Sequence, residues 1–95
     1  MNVDIKNTLE MLVLEVSNLR TGGIVDAIRF CNQAVNYLIY KGRIDKSEKR
    51  ECCQYICDLF NMGFHGSIHP AHIQLFIQQM MSDDYFDKNI MTFLH

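Results

Sequence analysis

VDIKNTLEMLVLEVSNL (residues 3–19), RTGG (20–23) and IVDAIRFCNQAVNYLIY (24–40) decide the fold of this chain. In the first stretch Ile5, Leu9, Leu12, Val16 and Leu19 recur at alternating steps of four and three, which places them on one face of an α-helix. Ile24, Ile28, Cys31, Val35 and Leu38 repeat the pattern in the third stretch. A helix over about Val3–Arg20 ends at Thr21-Gly22-Gly23, because glycine accepts the left-handed conformation that follows a helix C-terminus. A turn this short forces the second helix, from about Ile24, to fold back as an antiparallel hairpin.

Both helices carry more apolar residues than one seam needs: Val3, Met11 and Leu14 on the first, Phe30, Tyr37 and Tyr40 on the second. The second helix, with Ala27, Ala34 and Ile39 widening its seam, has the pattern of a central helix touched by several neighbours. Asp26, Arg29, Asn32, Gln33 and Asn36 read as its narrow solvated strip.

Beyond Tyr40 the punctuation predicts two or three more helices. Lys41-Gly42-Arg43-Ile44-Asp45 is a break, and Asp45 caps a third helix with Glu48 at the capping-box position. That helix carries Cys52, Tyr55, Ile56, Leu59, Phe60 and Met62 and stops at Gly63. After a looser stretch, Pro70 opens a fourth helix with the seam Ile73, Phe76, Ile77 and Met80. Ser82-Asp83-Asp84 reads as a fresh N-cap for a last short helix carrying Phe86, Ile90, Phe93 and Leu94, unless the fourth and last are one bent helix. No internal repeat and no period-two strand pattern is present. The expectation is an all-α chain, residues 1–95 as a single domain, built as a compact four- or five-helix bundle that starts with an antiparallel helical hairpin.

The 95 residues carry a net charge of −2, against the basic excess that phosphate binding favours. No apolar run has the length of a membrane span, and MNVDIKN lacks the basic and apolar regions of a signal peptide. A cytoplasmic protein with reduced thiols is therefore expected, the more so because a bridge between the neighbours Cys52 and Cys53 would be strained.

Three constellations compete for function. Cys53, Cys57, His65, His69 and His72 have metal-ligand character, and zinc takes four N or S ligands in a tetrahedron. Their spacing matches no standard motif, and buried thiols beside loop histidines explain it as well. No metal and no cofactor is expected. Lys41, Arg43, Lys46, Lys49 and Arg50 concentrate positive charge at a helix–turn–helix junction, where nucleic acid or an acidic partner would find contacts. Asp45, Glu48 and Glu51 interleave with them, so a solvated helix face with local ion pairs fits too. Catalysis has no G-x-S-x-G, phosphate-binding glycine loop or H-E-x-x-H to stand on, and no acid is placed to orient a Cys57–His65 pair.

The surplus apolar residues Met11, Leu14, Phe30, Tyr37 and Tyr40 remain as candidate partner-binding side chains. Leu75 and Tyr85 also fall off the seams, in a C-terminal half rich in methionine and phenylalanine. The reading is a small non-catalytic protein that binds another protein, as inhibitor, adaptor, chaperone or regulatory subunit, and that forms a homodimer or larger oligomer. A nucleic-acid-associated regulator using residues 41–50 and a zinc-stabilised structural module are the rivals. No motif is specific enough to assign a family.

Overall fold

In a computed structural model of the chain the described residues are 1–19, 23–64 and 68–90. Four α-helices, and no strand, are found among them: α1 (Val3–Leu19), α2 (Ile24–Tyr40), α3 (Lys49–Leu59) and α4 (Pro70–Ser82). The protein is an all-α helical bundle. The start of α1 lies beside the end of α2, where Asp4, Ile5 and Thr8 share a recess with Leu38 and Ile44, so the first two helices form the expected antiparallel hairpin. Among the described residues no helix is long and apolar enough to cross a membrane.

The seams become the core. Ile5, Leu9, Leu12 and Val16 of α1, with Val13 one step off the seam, are buried against Ile28, Cys31, Val35 and Leu38 of α2. Ala27 and Ala34 are buried as well. α3 shares the central position expected of α2: it packs against α1, α2 and α4 alike. Small side chains at its contact positions, Cys52, Cys53 and Cys57, all fully buried, let its neighbours come close.

The end of α2 shows why the chain turns where it does. Gly42 has φ +75°, open to glycine at no steric cost. Its N–H donates to the Ile39 carbonyl at 3.0 Å, and the Arg43 N–H donates to the Leu38 carbonyl at 2.9 Å. This pair of bonds is the Schellman closure of a helix end, and it sets Ile44 into the core. Asp45 then caps a single 3₁₀ turn, Lys46–Glu48, by accepting from the Ser47 N–H at 3.0 Å, and α3 follows directly. The two hydrogen bonds from Ser47 hold the Asp45 carboxyl below the usual carboxylate range. α3 runs into a π-helical turn, Phe60–Phe64, in which Phe60 is fully buried. Pro70 opens α4 as expected, and His69 Nδ1 accepts from the Ala71 N–H at 3.1 Å.

One element differs from its expectation. Residues 83–87 form no helix where a last short helix is expected, Asp83 being extended; 88–89 form a turn and Ile90 is buried. Met91 to His95, including Phe93 and Leu94, lie outside the described residues. The Asp83 side chain does cap, but it accepts from the Tyr85 N–H at 3.0 Å to close a turn instead of starting a helix. The carbonyls that a helix would use internally are taken by side chains from α2 and α3.

Candidate partner-binding surfaces

Asn32 and Asn36 lie one turn apart on α2. Both are buried, which corrects the reading of them as part of a solvated strip. The Asn36 side-chain amide donates to the Asp83 carbonyl at 2.7 Å and to the Tyr85 carbonyl at 2.9 Å. Asn32 donates to the Asp83 carbonyl at 3.3 Å. Lys49, the first residue of α3, adds its ammonium to the same oxygen at 2.9 Å and lies 3.7 Å from the Asp84 carboxylate. Three donors from two helices thus converge on one backbone oxygen. Burying amide and ammonium groups is costly unless they are bonded, and the segment that follows α4 supplies the acceptors. Asn32 Oδ1 is buried without a hydrogen-bond partner.

Aromatic rings continue the contact. Phe86 packs edge-on against Tyr37, with centroids 5.9 Å apart at 76°, and against Tyr40 at 5.1 Å. The Lys41 ammonium lies 5.8 Å from the centre of the Tyr37 ring. A shallow recess of about 200 Å³ opens here, with Asn36, Tyr40, Lys46, Lys49, Asp84 and Phe86 in its wall. The fold therefore joins two sequence-level candidates that were read apart: the tyrosines Tyr37 and Tyr40, and the basic residues Lys41, Lys46 and Lys49.

The remaining candidates scatter. Arg43 faces a separate recess beside Asn2 and Asp4, and Arg50 one beside Met1 and Asp58. The basic run is thus divided among different parts of the surface. Lys49 is a correction to the reading of this run as a solvated face: it is 3% exposed, with its ammonium turned onto the segment that follows α4. Phe30 and Tyr37 are half-buried against the core. Met11 and Leu14 stand on the outer side of α1, 65% and 47% exposed. Val3, Val25, Met62, Leu75 and Tyr85 are further exposed apolar or aromatic side chains.

The cysteines sit deep. Burial pushes the thiols of Cys52, Cys53 and Cys57 up to about 11, and that of Cys31 further still. Thiols so protonated are poor nucleophiles near neutral pH. His69 uses Nδ1 in its cap, with the His72 ring 5.5 Å away. His65 lies outside the described residues. Among the described residues no three metal-ligating side chains lie together.

Asn32, Asn36, Asp84 and Phe86 were not singled out as site residues from the sequence. The one signal available was two asparagines four apart on a helix apolar around most of its girth. No protein-family model, curated protein or solved structure matches the chain.

Proposed function

We propose that this chain is a small, non-catalytic, cytoplasmic protein that acts by binding another protein through apolar helix surface, and that its first partner is a second copy of itself. The observation that carries the reading is the outer face of α1. Met11 and Leu14 point away from a core already completed by Leu12 and Val13, so they contribute little to packing within one chain. Large apolar side chains held outward on a rigid helix are suited to anchor an interface. The protonated, buried thiols and the division of the basic run favour this reading over a cysteine nucleophile or a nucleic-acid face.

Light scattering from 1 to 100 micromolar tests it, with Met11→Lys and Leu14→Lys beside the wild type. Wild-type mass above that of one chain, lowered in both variants while thermal melts of the dissociated subunits agree, is the expected result. Loss of an interface anchor weakens association by roughly 1–4 kcal/mol, or about one to three powers of ten in affinity. A single-chain mass for the wild type over the whole range refutes self-association. A photo-crosslinking side chain at position 14 then reports on other proteins in the native cell, and no protein adduct there refutes the binding role of α1.

A further inference from the structure

We propose that the start of α4 is a pH-sensitive latch. His69 holds the first helical turn closed while its ring is neutral, and proton uptake by His69 and His72 opens Pro70–Ile73 in mild acid.

The latch is made by the groups that close a helix start. The first N–H groups of an α-helix have no acceptor within the helix. Pro70 removes one of them. The Ala71 N–H donates to Nδ1 of His69 at 3.1 Å, and the His72 N–H donates to the His69 carbonyl at 2.8 Å. One residue thus serves the next two donors. The side-chain acceptor at such a place is usually an oxygen of Ser, Thr, Asp or Asn, which keeps its charge between pH 8 and 5. An imidazole gains a proton in that range. Nδ1 accepts only while its lone pair is free; once protonated it is a donor and meets the Ala71 N–H donor to donor. The turn is therefore capped above that range and loses its cap as pH falls through it.

His72 adds to the change. Its ring lies 5.5 Å from that of His69, and α4 has no acidic residue in its first turn. Two imidazolium charges would then sit together at the positive end of the helix dipole. Other elements bring no compensating partner. Among the described residues no ion pair includes either histidine. The π-helical turn Phe60–Phe64 holds no ionisable side chain. On α3 the Asp58 carboxylate accepts from the Gln54 amide at 3.0 Å, and on α2 Asp26 and Arg29 pair with each other at 3.8 Å.

The opening stays local because the chain is held on both sides. Upstream, the Ile68 N–H donates to Oδ1 of Asn61 at 2.7 Å, and the Ile68 side chain is buried; downstream, Ile77 and Met80 are buried. Between these anchors His69, Pro70, Ala71 and His72 are exposed and Ile73 is half-buried, so little packing opposes the change. None of these residues belongs to the outer face of α1, so the latch and the binding role of Met11 and Leu14 fail separately.

The test follows Cα chemical shifts of residues 70–73 by NMR in the full-length protein from pH 8 to pH 5, as a measure of the closed fraction. Losing a cap raises the open-to-closed ratio about fivefold, and each cation at the positive helix end raises it about two- to fivefold. The wild-type ratio should therefore rise at least about tenfold as pH falls, with the shifts of residues 77–80 and of α1 unchanged. His69→Asn keeps an acceptor at every pH and leaves only the His72 charge, so the rise should shrink to about fivefold or less. His69→Asn combined with His72→Gln should abolish it. If His69→Asn disturbs the fold at pH 8, His69→Asp takes its place, with the same expectation. The proposal is overturned if the wild-type shifts of residues 70–73 stay constant down to pH 5, or if the capped variant opens as far as the wild type.

Discussion

Charge reversal at Lys49 should destabilise this protein far more than the same change at Lys46 or Arg50, although all three belong to one basic run. The Lys49 side chain is 4% exposed; its ammonium donates to the Asp83 carbonyl at 2.9 Å and lies 3.7 Å from the Asp84 carboxylate. Lys49→Glu places a carboxylate against a carbonyl oxygen and a second carboxylate. A buried charge left without a partner in this way costs about 3–5 kcal/mol. Stability for a chain of this length is about 5–15 kcal/mol, so the variant should still fold, but marginally. Lys46→Glu and Arg50→Glu act on exposed charges and should each cost less than about 1 kcal/mol. Lys49→Met separates stem from charge. It keeps most of the buried methylenes, worth about 0.8 kcal/mol each, and loses a charged hydrogen bond of about 1.5–3 kcal/mol. It also removes the desolvation penalty of the ammonium, and Asn32 and Asn36 still bond the Asp83 carbonyl. Lys49→Met should therefore stay within about 1 kcal/mol of the wild type. Urea unfolding followed by circular dichroism at neutral pH decides. With a slope of about 1–1.5 kcal/mol per molar, Lys49→Glu should lower the midpoint by roughly 2–5 M. Coincident midpoints for Lys49→Glu and Lys46→Glu would falsify the placement of Lys49 as a buried anchor.

Alkali should unfold the protein early. Burial raises Cys52, Cys53 and Cys57 to about 11, whereas an unfolded thiol titrates near 8.5. The folded state keeps these protons longer, so their contribution is intact below about pH 8.5 and is lost as pH rises towards 11. Each thiol accounts for on the order of 1 kcal/mol per pH unit in that window. Urea midpoints at pH 7, 9 and 10 should fall in that order, and a flat series contradicts the burial of the thiols as neutral groups. Chelator should leave the melting temperature unchanged, because structural zinc would contribute folding free energy directly; a fall of several degrees, reversed by zinc, would restore the Cys53–Cys57–histidine cluster as a metal site.

The local grammar of the chain was legible in its sequence. Seams at steps of three and four set α1 and α2, glycine closed α2 at Gly42, Asp45 capped the next turn and Pro70 opened α4. Each of these depends on residues within a few positions of one another, where backbone geometry and side-chain reach are known in advance. The outward stance of Met11 and Leu14 was legible for the same reason. Phe30 and Tyr37 lie at the flanks of their seam, and their half-burial was set by neighbours that periodicity does not name.

What only the tertiary structure decided is the fate of the polar residues on α2 and α3 and of the chain after Ser82. Asn32, Asn36 and Lys49 are the residue types of a wet surface, and by pattern they belonged there. They are buried because Asp83 and Tyr85, 34 to 51 positions away in sequence, bring unpaired carbonyls to them. The same bonds hold residues 83–87 out of a helix against a local preference for a helix start at Ser82-Asp83-Asp84. A backbone carbonyl has no residue type, so its hydrogen bond to a distant side chain leaves no mark in composition or spacing. It exists only once packing has brought the two groups together in a place that water does not reach.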